Sequence, residues 1–151
     1  MMEYTEHIEG QELLELVPQR PPMLMVDQFL GISDGVSWSG LTVRPDNVFC
    51  TGGVFAAPGI VEHMAQSAAA RAGYSFRKDG CPVPLGFVAS IEKMHFSGSL
   101  PRPGDSLRTS VEVVADIFGM SLVHAVCWRG EEVLAEGDMK IYLDTERDEK
   151  A

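Results

Sequence analysis

AAPGIVEHMAQSAAARAGY, residues 56–74, is the stretch that decides the fold. It predicts one long helix that begins at Pro58 and Gly59 and ends at Gly73, because proline is favoured in the first turn of a helix and glycine at its end. The body is apolar or small on almost every side, which is typical of a buried helix. A carboxylate on a buried helix is costly unless it is paired or hydrogen-bonded, so Glu62 is the first candidate for a working side chain.

The chain on either side of this helix has the patterns of strands and turns. Its strand-like segments are residues 36–43, 85–96, 107–117, 120–128 and 133–143. Short turns are predicted at Gly119 and at Arg129–Gly130, and residues 46–55 are expected to form a glycine-containing loop. This order predicts an α+β fold in which an antiparallel sheet curls around one long buried helix.

The N-terminal part of the chain is expected to add only short elements. Residues 11–17 have the pattern of a short amphipathic helix that Pro18 ends, and residues 23–26 predict a short apolar strand or turn. Residues 1–151 are expected to form a single domain, with a charged and frayed tail at residues 145–151.

Composition excludes several classes of function. Hydrophobic residues make up 45% of the chain and charged residues 23%, as in ordinary globular domains, and the net charge of −10 argues against nucleic-acid binding. Neither a bilayer-spanning run nor a secretory signal is visible, and three widely spaced cysteines predict a reducing cytoplasm. No metal-ligand cluster and no glycine-rich phosphate loop occurs, so neither a metal nor a cofactor is expected.

Three segments resemble the hot-dog-fold 3-hydroxyacyl-(acyl-carrier-protein) dehydratases of the FabZ-like or ApeP-like kind. QRPPMLMVD at residues 19–27 is similar to the family's HRYPFLLVD, and EHMAQ at residues 62–66 is similar to its EAxAQ. Residues 88–105 contain VASIEK, a phenylalanine and PGD, similar to the family's LAGIDK, RF and PGD. The resemblance implies a hot-dog homodimer with its two sheets joined edge to edge and an acyl tunnel ending at each interface site. It also implies removal of water from a 3-hydroxyacyl thioester.

The loop before the central helix departs from the family pattern. The family has GHFP there, whereas NVFCTGGVF at residues 47–55 contains no histidine. The usual general base is therefore missing.

Dehydration requires a base, an acid and donors for an enolate-like oxygen. Glu62 is expected to be the acid, and His63 is a candidate base for the site of a second subunit. Because neighbours on a helix point about 100° apart, these two side chains do not share a face. His63 could equally be a hydrogen-bonded core histidine, and His95 and Cys50 have weaker claims to the role of base. Three groups of residues are expected to bind substrate. Gly59 and Ile60 would do so through their backbone amides, and Gln66, one turn after Glu62, would orient that carboxyl group. The loop residues Phe49, Val54 and Phe55 form the third group.

Three functions follow as alternatives. The first is a dehydratase of fatty-acid-like or aryl-polyene-like synthesis, acting on acyl carrier protein or coenzyme A thioesters. The second is a non-catalytic hot-dog subunit that binds acyl chains or forms a heterodimer with an active paralogue. The third is an acyl thioesterase. An acidic carrier would need a local basic patch, for which Arg77–Lys78, Arg102 and Arg108 are the candidates.

Overall fold

The computed structural model describes residues 3–144, and the tail predicted at residues 145–151 lies outside them. In chain order the elements are α1 (Gly10–Leu14), β1 (Gln28–Ser33), β2 (Val36–Thr42), β3 (Cys50–Thr51), β4 (Val54–Phe55), α2 (Ala57–Lys78), β5 (Leu85–Phe96), β6 (Ser106–Ile117), β7 (Met120–Arg129) and β8 (Glu132–Asp144). No helix in the described range is long and apolar enough to cross a membrane.

Six of the strands form one antiparallel sheet in the order β1-β2-β6-β7-β8-β5. The long helix α2 packs against this sheet, and its buried Ile60, Met64 and Ala68 contribute to the main hydrophobic core. On the sheet side, Leu107 and Val111 of β6 belong to the same core. The α+β fold with an antiparallel sheet around a central helix is therefore confirmed.

The central helix is longer than its sequence indicates. It continues to Lys78, so the prediction that Gly73 ends it is wrong. Gly73 serves close packing instead: a Cβ built there would lie 2.1 Å from the carbonyl oxygen of Leu16. The glycine allows the segment after α1 to approach the helix backbone, which no larger residue permits.

One strand of the sheet was not predicted. Residues 23–26, expected to form a short strand or turn, form no strand, and the strand here is β1 at Gln28–Ser33, which has no clear alternation in the sequence. The physical reason is that β1 is covered on both faces, since Phe29 and Leu30 are both buried and Ile8 pairs with Phe29 from the N-terminal segment. A strand buried on both sides shows a continuous apolar run rather than a period of two.

The loop before α2 contains a small hairpin that was not predicted. β3 and β4 pair across Gly52 and Gly53, whose φ angles of 59° and 80° favour glycine. Of the later turns, β6 and β7 join at Phe118–Gly119 as predicted, whereas β7 and β8 join at Gly130–Glu131, one residue later than expected, because Arg129 still belongs to β7. Helix α1 is shorter than expected and ends at Leu14, ahead of Pro18.

Candidate active site

Glu62 lies in the second turn of α2 and lines a cleft of about 280 Å³. The walls come from α2, from the segment that follows α1, and from β5 and β8. Apart from Gln19 and Glu62, the lining residues are apolar or glycine: Leu16, Pro18, Ala65, Ala69, Ala72, Pro84, Gly86, Phe87, Val88, Ile141 and Leu143. Glu62 is half-buried in the single chain. A carboxyl group thus faces a cleft of otherwise apolar character.

Gln66 fixes the orientation of Glu62. Its Nε2 donates to Oε2 of Glu62 at 2.8 Å and to the carbonyl oxygen of Met23 at 2.9 Å. Its Oε1 accepts the Met25 N–H at 2.6 Å. Because Gln66 is itself buried and bonded at both ends of its amide, it holds one carboxylate oxygen of Glu62 and leaves Oε1 without a partner in residues 3–144. The predicted pairing of Glu62 with Gln66 is present, and its catalytic use stays a prediction.

His63 points away from this cleft into the core. Its Nδ1 lies 2.8 Å from the carbonyl oxygen of Met25, and since a carbonyl only accepts, Nδ1 carries the proton. The side chain is fully buried, and burial lowers its pKa to about 4. Nε2 is buried with no hydrogen-bond partner within the described chain. The geometry gives His63 a structural contact, and its expected role as a base stays a prediction.

The amides expected to bind the thioester oxygen are engaged within the helix. The N–H groups of Gly59 and Ile60 both donate to the carbonyl oxygen of Ala56, at 2.9 and 3.4 Å. Gly59 is also covered by aromatic side chains, because a Cβ built there would lie 2.6 Å from the Phe55 ring and 2.7 Å from Phe49. In the single chain these two amides do not face the Glu62 cleft as free donors.

The three loop residues expected to contact substrate lie at the start of α2. Phe55 is fully buried, and its ring packs edge-on against Phe49 at a centroid distance of 6.4 Å. Val54 is half-buried in β4. None of the three lines the Glu62 cleft, so their contact with substrate stays a prediction.

The other candidate bases are also remote from Glu62. His95 pairs in register with Glu136, and because paired residues share a face, it lies on the exposed side of the sheet, opposite α2. The Cys50 thiol contacts the Arg44 carbonyl oxygen at 3.6 Å in the β3 hairpin. Neither residue lines the cleft.

Two parts of the site were missed from the sequence. Gln19 lines the cleft, although in the sequence it is notable only as the first residue of the family-like motif QRPPMLMVD. Phe87 and Val88 of β5 also line it, and they are 50% and 43% exposed. They lie on the outermost strand of the sheet, where Ile91 and Phe96 are exposed to a similar extent. An open edge with large apolar side chains is typical of an interaction surface.

Comparisons with known proteins agree with this architecture. A sequence model of the ApeP-like family, described as ApeP dehydratase, matches residues 11–150. The 3-hydroxyacyl-[acyl-carrier-protein] dehydratase FabZ of Acetivibrio thermocellus is 32% identical over 90% of this chain and 95% of its own length. The FabZ of Bacillus cereus is 31% identical, with 92% of each chain covered.

Solved structures show the same fold at lower identity. A chain of the dehydratase heterocomplex ApeI:P from Xenorhabdus doucetiae superposes with a TM-score of 0.77 at 16% identity, covering 96% of this chain and 97% of that one. A probable thioesterase from Bartonella henselae superposes with a TM-score of 0.59 at 15% identity, covering 76% and 94%. The hot-dog fold is thereby confirmed, and the match over residues 11–150 shows that the chain belongs to the ApeP-like family of dehydratases.

Proposed function

We propose that this chain is a subunit of a 3-hydroxyacyl-thioester dehydratase in which Glu62 protonates the departing hydroxyl group. The observation that carries the proposal is the carboxyl group of Glu62 at an apolar cleft, with one oxygen fixed by Gln66 and the other unpartnered within the described residues. A fixed carboxyl group with a free oxygen can form a directed hydrogen bond to a substrate hydroxyl.

The proposed reaction breaks two bonds in the substrate. A base removes the proton from the carbon beside the thioester carbonyl, and the electron pair forms the new carbon–carbon double bond. The bond to the 3-hydroxyl group breaks, and the proton of the Glu62 carboxyl group leaves with that oxygen as water. Before the next turnover the base releases the proton that it removed, and the Glu62 carboxylate takes up one from solvent, so both groups return to their starting states.

The cleft offers room for an acyl chain. It adjoins a larger cavity of about 520 Å³ between the C-terminal half of α2 and the β6–β7 hairpin, and Ala72, Ile141 and Leu143 line both. The combined space falls in the range of ligand sites. The alanines along α2 leave the cleft wall smooth and apolar, as an alkyl or aryl chain requires.

A second hot-dog subunit is proposed to complete the site and supply the base. Support comes from β5, whose exposed Phe87 and Val88 also line the cleft, so a subunit paired at this edge would cover its opening. The solved ApeI:P structure is described as a heterocomplex of dehydratase subunits. We infer that this chain pairs either with itself or with a histidine-bearing relative.

The thioester carrier is proposed to be an acyl carrier protein, as in the names of the FabZ relatives. Of the basic residues considered for docking, Arg77 is already paired with Glu12 at 2.8 Å and with Glu15 at 3.3 Å. Arg102 is exposed and forms no ion pair within residues 3–144, which makes it a better candidate than Arg77.

The function is tested by incubating the purified chain with a 3-hydroxyacyl carrier-protein thioester, alone and mixed with a histidine-bearing hot-dog paralogue, and following the acyl group by mass spectrometry. Loss of water is expected, and Glu62→Gln should reduce its rate by at least about a hundredfold. Glu131→Gln, at an exposed turn, is the matched control and should retain full rate.

The alternatives give different products in the same assay. Loss of the whole acyl group would indicate a thioesterase, and no change in any mixture would indicate a non-catalytic subunit. An unchanged rate in Glu62→Gln would remove Glu62 from the mechanism. Association is measured separately by sedimentation: Phe87→Lys on β5 should yield monomers, whereas Phe118→Lys, at the fully exposed β6–β7 turn, should not.

A further inference from the structure

Dehydration develops negative charge on the thioester carbonyl oxygen, and a hydrogen-bond donor aimed at that oxygen lowers the barrier. The amides of Gly59 and Ile60, which would be natural donors, are both bonded to Ala56 within the helix. A donor is therefore needed from another part of the cleft.

Gln19 is the candidate donor. It lines the same cleft as Glu62, and these two are its only polar lining side chains in the described part of the chain. One residue comes from the segment after α1 and the other from α2, so they approach the cleft from different elements. A substrate between them could meet a carboxyl group on one wall and a carboxamide on another.

The backbone around Gln19 is fixed in place. The Arg20 guanidinium donates to the carbonyl oxygens of Val17 and Gln19, both at 2.8 Å, and to that of Leu14 at 3.1 Å. The neighbouring Leu16 is fully buried, and its carbonyl packs on Gly73 of α2. A side chain on a rigid backbone loses little freedom when it binds a ligand, which favours a positioning role.

The Gln19 carboxamide itself lacks partners. Its Oε1 is buried and makes no hydrogen bond among residues 3–144. Buried side-chain polar atoms are bonded in the large majority of cases, so an unpartnered one at a cleft is unusual. The nitrogen end, Nε2, makes no hydrogen bond among residues 3–144 either and is not among the enclosed atoms, so its N–H groups are free to meet a ligand.

We propose that Gln19 donates a hydrogen bond from its side-chain amide to the carbonyl oxygen of the bound thioester. This assignment rests on the proposed dehydration for its catalytic meaning. Gln19 transfers no proton: it stabilises the charge on the oxygen while the base takes the neighbouring proton and Glu62 protonates the hydroxyl group. It also fixes the thioester end of the substrate relative to Glu62.

Two measurements test the role of Gln19. The first is the infrared stretching frequency of a ¹³C-labelled thioester carbonyl in a bound acyl thioester that lacks the 3-hydroxyl group and so cannot react. A hydrogen bond lowers this frequency, so the wild-type complex should absorb lower than the Gln19→Met complex. The second is the single-turnover dehydration rate, which should fall about a hundredfold in Gln19→Met while binding of the unreactive thioester changes little.

Control variants separate this role from a general effect on the fold. Gln11→Met, at an exposed position of α1, should leave both the frequency and the rate unchanged. Gln19→His keeps a side-chain N–H and should restore part of the frequency shift.

The outcomes distinguish the two proposals. A frequency shift that depends on Gln19 in a chain without dehydratase activity would retain this contact and overturn the proposed function. A carbonyl frequency equal in the wild type and in Gln19→Met would overturn the role of Gln19 even if the enzyme is active. Failure of the wild type to bind the unreactive thioester would overturn it as well.

Discussion

Oε2 of Glu62 lies 2.8 Å from Nε2 of Gln66, which is one helical turn away. The same Nε2 also donates to the Met23 carbonyl oxygen, and Oε1 of Gln66 accepts the Met25 N–H. The carboxyl group of the cleft is therefore connected to the backbone of the segment that precedes β1. Residues four apart on a helix are neighbours. Gln66 therefore fixes the carboxyl group of Glu62 relative to the backbone of Met23 and Met25, which lie outside the helix.

Replacing Gln66 with leucine should damage both stability and catalysis. The Met25 N–H and the Met23 carbonyl would lose their buried partner, which we expect to lower the free energy of unfolding by about 2 to 4 kcal/mol. Glu62 would lose its orientation, so kcat should fall more than KM rises. Urea unfolding and steady-state kinetics measure the two effects.

Gln66→Glu tests whether the N–H donors of Gln66 are needed to position Glu62. A carboxylate can still accept from Met25 but cannot donate to Met23 or to Glu62. It should therefore also lower kcat, and full activity in Gln66→Glu would contradict the positioning role.

Gly73→Ala should destabilise the protein although alanine favours helix. The new Cβ would lie 2.1 Å from the Leu16 carbonyl oxygen, a backbone atom that cannot move without the chain. The gain in helix propensity is about 1 kcal/mol, and overpacking costs about 1 to 3 kcal/mol or more, so we expect a net loss of about 2 kcal/mol. Ser75→Ala, exposed on the same helix, is the control and should not destabilise; a stabilised Gly73→Ala would contradict the close contact.

Features that depend on local spacing could be predicted from the sequence. The central helix, the strands of the second half and the pairing of Glu62 with Gln66 follow from periodicity or from four-residue spacing. Gly73 could not be interpreted correctly, because glycine at a helix end and glycine beneath a crossing backbone have the same sequence signature. The two cases differ only in whether another backbone segment lies against the glycine, and here that segment is at Leu16, which is distant in the sequence.

The pairing register between neighbouring strands could not be predicted from the sequence for a related reason. The β7–β8 hairpin contains an irregularity between Cys127 and Trp128, which shifts the register by one residue. Counting back regularly from the turn would pair His124 with Gly137, whereas the structure pairs it with Asp138. One extra residue in a strand therefore decides which charge a histidine meets.

The buried His63 should make the protein less stable in acid. Above pH 6.5 the imidazole is neutral in both the folded and the unfolded chain, so it has no effect on the free energy of unfolding. Between pH 6.5 and the lowered folded-state pKa of about 4, only the unfolded chain takes up the proton. The free energy of unfolding should therefore fall as pH falls through this window, by on the order of 3 kcal/mol.

His63→Asn isolates this effect, because asparagine retains an N–H donor near the position of Nδ1 and does not titrate. The variant should lose less stability than the wild type between pH 6.5 and about 4, measured by urea unfolding. Gln11→Asn, at an exposed position that does not titrate, should leave the pH dependence as it is. Equal slopes for His63→Asn and the wild type would show that His63 titrates normally in the folded chain.

His124 should have the opposite pH dependence. Its Nδ1 lies 2.7 Å from Asp138 and its Nε2 lies 2.8 Å from Glu136, so both nitrogens face carboxylates and the charged imidazolium is favoured. The hydrogen bond to Asp138, followed by that to Glu136, raises the pKa of His124. The other charged and titratable groups on this face lie on three strands: Arg108 and Glu112 on β6, Lys140 and Tyr142 on β8, and Glu92 and His95 on β5.

A raised pKa means that the stabilisation by His124 is fully present below the unfolded-state pKa of 6.5 and is lost as pH rises through the folded-state value. His124→Gln should therefore unfold at lower urea concentration than the wild type at about pH 6, and the difference should be smaller at a higher pH, above the raised folded-state pKa. His95→Gln, exposed on the same face, should show a smaller difference at the lower pH because its side chain has no carboxylate partner within residues 3–144. An equal loss of stability in His124→Gln at both pH values would mean that packing, rather than the charge of the imidazolium, accounts for its contribution.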